Sequence, residues 1–145
     1  MKQVLVAASL AFVAWVALVA AKPPSDETKM HRVVFELTSG ELQVWNSLLN
    51  NVENVRQALG PDRTEVEVVA HGGGLGLLTA RDAQQTERME VLAQAGVVFA
   101  ACENTMRRQN VGKADLLPFV TTVDSGVAEI VRKQEAGWSY LRVGG

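Results

Sequence analysis

Cysteine is nearly absent from this chain, since its 145 residues include one, Cys102. A single cysteine excludes an internal disulfide and the closely spaced cysteine ligands of structural zinc sites. The charge is balanced, with 14 basic and 16 acidic residues, so there is no basic footprint for nucleic acid. The dinucleotide fingerprint, the phosphate loop with its lysine and the Gly-x-Ser-x-Gly elbow of esterases are missing too. We therefore expect no metal, no cofactor and no nucleic-acid partner.

The amino-terminal residues read as a targeting segment. Lys2 precedes an apolar run, 4–19, which ends in Ala20 and Ala21 before an abruptly polar stretch. This three-part pattern predicts a signal peptide over residues 1–21 and an exported protein, periplasmic or secreted. An uncleaved anchor is the alternative, because the run approaches the roughly 18 apolar residues that span a bilayer. Contact with a membrane is expected only in that case.

The rest of the chain predicts one small domain. Residues 22–30 form a polar linker, and residues 31–145 alternate short apolar runs with amphipathic segments. This alternation predicts a three-layer α/β/α sandwich around a mainly parallel five-stranded sheet. The predicted strands are Arg32–Leu37, Thr64–Ala70, Val97–Ala101, Phe119–Val123 and Trp138–Val143. The predicted helices are Glu41–Leu59, Leu75–Leu78, Arg81–Ala95, Glu103–Gln109 and Val127–Glu135, the last capped by Asp124 or Ser125 with Val127, Ile130 and Val131 facing inward.

Ligands of open α/β sheets gather at the carboxyl ends of the strands. The polar residues that follow predicted strands are Thr38, Ser39, His71, Cys102, Asp124 and Ser125. Cys102 stands between a buried strand and a short helix, which favours a reactive thiolate, although a buried structural thiol fits the same pattern. If the second and third strands are neighbours, His71 comes within reach of Cys102 and can lower the thiol pKa. The alternative is a His71 that only hydrogen-bonds the turn.

A glycine-rich string, 72–76, follows the second strand. Glycines allow backbone N–H groups to approach an anion, so Gly72, Gly73 and Gly74 are candidate ligand-binding residues. Asn104, just after the cysteine, is a further candidate, as is Thr38. The pair Arg107 and Arg108 can hold an anionic substrate or form a solvated face.

Several segments together resemble the DsrE/DsrF-like superfamily. They are Val33–Thr38, Trp45–Asn46, Val66–Gly72, Phe99–Met106, Asp115–Val120, Ser125–Val127 and Gln134–Tyr140. The resemblance implies a YchN-like fold and a homo-oligomer, either a trimer or a hexamer. It also implies a cysteine that carries a persulfide and passes sulfur to a partner protein, and Cys102 is the residue of this chain that can do so.

Two functions remain open at this stage. The first is an exported sulfur-handling protein in which Cys102 accepts sulfane sulfur, His71 and the helix after Cys102 favour the thiolate, and the glycine loop admits the donor. The second is a non-enzymatic oligomeric binding module. Its pocket at the strand ends, formed by His71, residues 72–76 and Asn104, holds a small ligand, and Cys102 is then structural.

Overall fold

The computed structural model describes residues 28–79 and 83–143. The predicted signal peptide, most of the linker and the start of the helix predicted from Arg81 lie outside these residues. The strands are β1 (His31–Leu37), β2 (Thr64–Ala70), β3 (Val98–Cys102), β4 (Thr121–Val123) and β5 (Ser139–Val143). The helices are α1 (Leu42–Leu59), α2 (Leu75–Leu78), α3 (Ala83–Gln94), α4 (Glu103–Gln109) and α5 (Gly126–Glu135). No described helix is long and apolar enough to cross a membrane.

The five strands form one parallel sheet in the order β4-β3-β2-β1-β5. The chain steps outward from β1 through β2 and β3 to β4, and it then crosses the whole sheet to place β5 beside β1. Parallel neighbours need crossover connections, and helices supply them here. The predicted α/β architecture is therefore confirmed.

The main core lies between one face of the sheet and the helices α1, α3 and α4. Val33, Phe35 and Leu37 alternate along β1, so all three point to this face and are almost fully buried. They pack with Leu48, Leu49 and Val52 from α1, Met89 and Leu92 from α3, and Met106 from α4. The core-facing side of α3 therefore includes Met89 and Leu92.

The opposite face is covered by α5. Ile130 packs there on Val34, Val69 and Ala100. Val127 and Val131, predicted to face inward, are instead 58% and 52% exposed. That part of the prediction was wrong. The face of α5 that contacts the sheet is formed by residues 126, 130 and 133, which share one side of the helix.

Lys133 explains this rotation of α5. Its Nζ lies 2.5 Å from Glu67 Oε2, a carboxylate in the middle of β2 whose side chain is 6% exposed. The same ammonium lies 4.2 Å from the centre of the Trp138 ring. A buried carboxylate needs a partner, so the helix presents a lysine to the sheet as well as an aliphatic side chain.

Four of the five strands also differ from the prediction at their ends: β1 begins one residue earlier, β3 is shifted one residue later, and β4 and β5 begin later. Phe119 does not join β4, because its ring packs edge-on against Phe99 with centroids 5.9 Å apart. Trp138 precedes β5 and lies under Lys133 instead of extending the strand. The predicted cap of α5 is Ser125, whose Oγ accepts a hydrogen bond from the Ala128 N–H at 3.5 Å.

Candidate functional site

Cys102 is the last residue of β3, at the point where the sheet topology reverses. After β3 the chain turns to the face covered by α4, whereas after the neighbouring β4 it turns to the face covered by α5. Connections that leave adjacent strands toward opposite faces open a crevice at the carboxyl edge, where open α/β sheets bind ligands. The predicted placement of Cys102 at such an edge is confirmed by the strand bounds.

The thiol is surrounded by hydrogen-bond donors. The Gly126 N–H, at the start of α5, donates to Cys102 Sγ at 3.2 Å. Burial raises the pKa of the thiol, but this donor, the hydroxyl and N–H of Thr105 and the N–H of Asn104 outweigh it and lower the pKa below its usual value. These donors stabilise the charged sulfur more than the neutral thiol. The residue is nevertheless only 4% exposed.

His71 directly follows β2 and lies beside Cys102. The strands β2 and β3 are neighbours, and their register pairs Ala70 with Ala101, so the next residues of the two strands are His71 and Cys102. Gly126 packs against both residues, since a Cβ added there would lie 3.2 Å from the His71 Cβ and Cδ2 and 3.3 Å from the Cys102 Cβ. A glycine at this position therefore allows α5 to start close to the thiol.

The His71 ring is held by a carboxylate that the sequence analysis did not select. His71 Nε2 lies 2.8 Å from Glu36 Oε1, on β1. Burial raises the pKa of Glu36, but hydrogen bonds from Tyr140 and His71, and the charges of His71 and Arg142, lower it overall. The Tyr140 hydroxyl also donates to Glu36, which raises the tyrosine pKa. His71 thus belongs to a polar cluster around Glu36, and its ring does not bond the turn.

The glycine string forms a 3₁₀ turn, Gly72–Gly74, packed against the loop after β1. A Cβ on Gly74 would lie 2.2 Å from the Leu37 carbonyl oxygen, and one on Gly73 would lie 2.8 Å from the Gly40 nitrogen. The Gly72 N–H donates to Thr105 Oγ1 at 3.1 Å, and the Gly74 N–H donates to the His71 carbonyl. Close packing therefore explains this string, and a ligand role for these glycines stays a prediction.

The other candidates fall on two sides of the thiol. Asn104 follows Cys102 in the first turn of α4, and its side chain lines a polar cavity of about 380 Å³. Thr38 follows β1, and its Oγ1 accepts a long hydrogen bond, 3.4 Å, from Arg142. A second cavity of about 620 Å³ lies near the start of β3 and includes Val97, Val98 and Phe119 in its lining, away from Cys102.

Among the described residues, no group of three or more His, Cys, Asp or Glu side chains is arranged to hold a metal ion. Asp124 and Ser125, also selected from the sequence, have structural roles. Arg132 holds Asp124, whose pKa falls to about 2 through the hydrogen bonds from that guanidinium and from the Ser125 N–H. Ser125 caps α5 and thereby fixes the helix end that carries the Gly126 N–H.

Thr105 offers a direct test of the thiol environment. Replacing it with valine keeps the shape but removes the hydroxyl that bonds Cys102 and accepts from Gly72. We expect Thr105→Val to raise the thiol pKa and to lower the free energy of unfolding by about 2 kcal/mol, because the Gly72 N–H loses its acceptor. Ultraviolet titration of the single thiolate and chemical denaturation measure the two effects.

The control is Thr105→Ser, which keeps the hydroxyl and should keep the low pKa. The sign of the pH effect follows from the lowered pKa: the thiolate adds stability above the unfolded-state pKa, and this is lost as the pH falls through the folded-state pKa. The valine variant should show a smaller pH dependence across that window. Equal thiol pKa values in both variants would contradict a role for the hydroxyl.

The fold and the cysteine at its switch point define an α/β protein of a known class. A model of the DsrE/DsrF-like family matches residues 17–143, and the chain belongs to that family. The family suggests a function related to sulfur relay. No curated protein matches the chain.

Solved structures agree with this assignment. MTH1491 from Methanobacterium thermoautotrophicum, a protein of unknown function, is 38% identical, with a TM-score of 0.72 over 77% of this chain and 98% of that one. YchN from E. coli is 12% identical, with a TM-score of 0.61 over 79% of this chain and 98% of YchN. BT1422 from Bacteroides thetaiotaomicron, also of unknown function, is 15% identical, with a TM-score of 0.61 over 77% of this chain and 93% of that one. The last two likenesses concern the fold alone.

Proposed function

We propose that this protein handles sulfur outside the cytoplasm, with Cys102 accepting sulfane sulfur as a persulfide and passing it to a partner protein. The observation that carries the proposal is the lowered pKa of the Cys102 thiol, which has hydrogen-bond donors from two helix starts. The ionised sulfur is the nucleophile in exchange at sulfur. Membership in the DsrE/DsrF-like family supports the same chemistry.

The loading step needs no oxidant or reductant beyond the sulfur donor. The Cys102 thiolate forms a bond to a sulfane sulfur of polysulfide, the adjoining S–S bond of the donor breaks, and its electron pair leaves with the rest of the donor. The product is a persulfide, whose terminal sulfur lies about 2 Å beyond Sγ. The N–H groups of Gly126, Asn104 and Thr105 that lower the thiol pKa remain beside Sγ.

The burial of Cys102 restricts what can load it. Because Cys102 is 4% exposed, a donor protein can contact little of its sulfur atom. A small inorganic donor needs much less space to reach the sulfur. His71 contributes indirectly in this scheme, because its Nε2 is engaged by Glu36. The donors that act on the sulfur directly are backbone N–H groups and Thr105.

The test is intact mass spectrometry of the full chain after exposure to polysulfide at neutral pH. We expect the mass of one added sulfur atom, removable by a thiol reductant. Cys102→Ser is the matched control, because serine keeps the shape but offers no thiolate, and it should gain nothing. A wild-type chain that stays unmodified and also resists alkylation when folded would overturn the proposal.

The low exposure of Cys102 favours a second candidate function if that test fails. In it, the protein is a non-enzymatic oligomeric module that binds a small ligand at the strand ends, and Cys102 is a wall residue. The buried thiol suits such a role, since unpaired cysteines are among the residue types most often buried. Unmodified Cys102 together with ligand-induced thermal stabilisation would favour this candidate.

Assembly and export complete the proposal. Val127 and Val131 form an exposed apolar stripe on α5, which supports association between copies of the chain, as a trimer or a hexamer. Light scattering of the purified protein tests this association, and a mass equal to one copy of the chain would contradict it.

The proposed export depends on the amino-terminal sequence alone. Detecting the mature chain only in the cytoplasm would contradict it.

A further inference from the structure

Strand β5 forms one edge of the sheet, and the described residues leave that edge open. The strand order places β5 outermost beside β1, with no described strand on its other side. Residues 139–142 are all exposed, and among them Tyr140 and Leu141 are 38% and 41% exposed. An edge strand presents a row of unpaired backbone N–H and C=O groups, which another strand can bind. β5 therefore offers a template for a further strand.

The opposite edge of the sheet is protected, whereas β5 is not. Natural sheets protect an edge by keeping its strand short or by placing charged side chains on it. The other edge strand, β4, has three residues, against five in β5. The charged residue of β5 is Arg142, and its Nε lies 3.9 Å from Glu36 Oε2 on β1. Its charge is therefore turned toward β1 and away from the open edge.

The side chains of β5 are self-complementary about Leu141, the middle residue of Ser139–Val143. When a second copy pairs its β5 in antiparallel fashion about this residue, every position of each strand has a partner. Leu141 then meets Leu141 of the second copy on the side of the main core, because Val143, two residues on, packs in that core. On the other face, Tyr140, which donates to Glu36, meets Arg142 of the second copy. The contact therefore adjoins the polar cluster that holds His71.

Other symmetric registers fit the sequence of β5 less well. Apolar pairs, and a guanidinium beside an aromatic ring, stabilise side chains that face each other across two strands. Centring the pairing on Arg142 would place two guanidinium groups directly opposite, and like charges in that position are destabilising. Centring it on Tyr140 would leave Val143 opposite Gly137, outside the strand. The pattern along β5 therefore favours one register, and the partner that matches it is a second copy of this chain.

We propose that two copies of the chain pair through β5 in antiparallel register about Leu141, which joins their five-stranded sheets into one continuous sheet. This inference deepens the proposed association of copies and rests on it, because β5 supplies a contact distinct from the stripe of Val127 and Val131. A contact between identical patches has two-fold symmetry, so the assembly contains an even number of chains. It selects the hexamer over the trimer.

Disulfide trapping tests the register. Leu141→Cys in the Cys102→Ser background places one thiol from each copy at the symmetry axis. Directly opposite residues of antiparallel strands have Cα atoms about 4.5 or 5.5 Å apart, within the roughly 4.4–6.8 Å that a disulfide bridges. We expect most chains to run as linked pairs on a non-reducing gel after air oxidation. The matched control, Val91→Cys in the same background, has an exposed thiol on α3 and should stay unlinked.

Light scattering tests the even number of chains. Leu141→Lys brings two ammonium groups together at the axis and should halve the mass of the wild-type assembly, whereas Val91→Lys should leave it unchanged; circular dichroism checks that both variants fold. A wild-type mass of three chains, or linking of Leu141→Cys no greater than that of Val91→Cys, would overturn the inference and leave the association of copies standing. A wild-type mass of one chain would overturn both, and polysulfide loading of Cys102 would still report on the sulfur chemistry separately.

Discussion

Gly74→Ala is expected to lower the free energy of unfolding by about 3 kcal/mol, the upper end of the usual cost of overpacking, because the site is rigid backbone. The alanine Cβ would lie 2.2 Å from the Leu37 carbonyl oxygen and 2.7 Å from its carbonyl carbon. Neither atom can move without displacing the end of β1, because Leu37 O accepts the His71 N–H. The clash therefore separates the glycine turn from the loop after β1. Chemical denaturation of the variant measures the loss.

The matched control lies in the same pair of loops. A Cβ on Gly40 would meet the Gly73 carbonyl oxygen at 3.4 Å, an ordinary contact, so Gly40→Ala should leave the stability nearly unchanged. Neither glycine has a positive φ, so steric overlap is the only difference tested. Equal stability of the two variants would show that the turn does not pack as described. It would also restore the interpretation of the glycine string as an open anion site.

The sequence predicted the backbone of this site well, because the relevant signals are local. Each strand end is marked by an apolar run that stops at polar residues, and this placed His71 and Cys102 at one edge of the sheet. Their adjacency required only that β2 and β3 be neighbours, which is the common outcome for consecutive strands joined by a helix. The pairing of Ala70 with Ala101 confirms it.

The hydrogen-bond partners of His71 and Cys102 could not be predicted from local sequence in the same way. Glu36 meets Tyr140 across 104 positions of sequence, because β5 returns to pair with β1. Gly126 reaches Cys102 only after the chain has formed β4 on the far side of β3. Such contacts depend on the strand order of the whole sheet, and no local pattern encodes that order.

The glycine string shows a different limit of sequence reasoning. A run of glycines is required both where backbone N–H groups face a ligand and where two backbones touch, so the sequence pattern is the same in the two cases. In this fold Gly74 is buried against Leu37, which selects close packing.

The residues of α5 that face the sheet were predicted incorrectly for a related reason. A helix that covers a sheet face is predicted to place aliphatic residues inward, and Val127, Ile130 and Val131 fit that expectation. The face beneath α5 contains Glu67, however, so the helix must bring a cation to the sheet. Lys133 fulfils this need and lies on the same stripe as Ile130 and Gly126. One ion pair thus sets the rotation that also delivers the Gly126 N–H to Cys102.

Lys133→Met is expected to lower the free energy of unfolding by about 3 kcal/mol, because it leaves the Glu67 carboxylate buried without its partner. Methionine keeps the length and the contact with Trp138, so the lost charge dominates the effect. Thermal or chemical denaturation measures the loss.

Two further variants test this explanation. Arg132→Met, one position away, removes an exposed cation that bonds Asp124 and Glu129 at the surface, and its effect should be small. Combining Lys133→Met with Glu67→Met removes both buried charges and should recover most of the stability, because an apolar pair of similar volume needs no compensation. A double variant as unstable as Lys133→Met alone would show that packing of the lysine stem, and not its charge, anchors α5. In that case the rotation of the helix that presents Gly126 to Cys102 would need another cause.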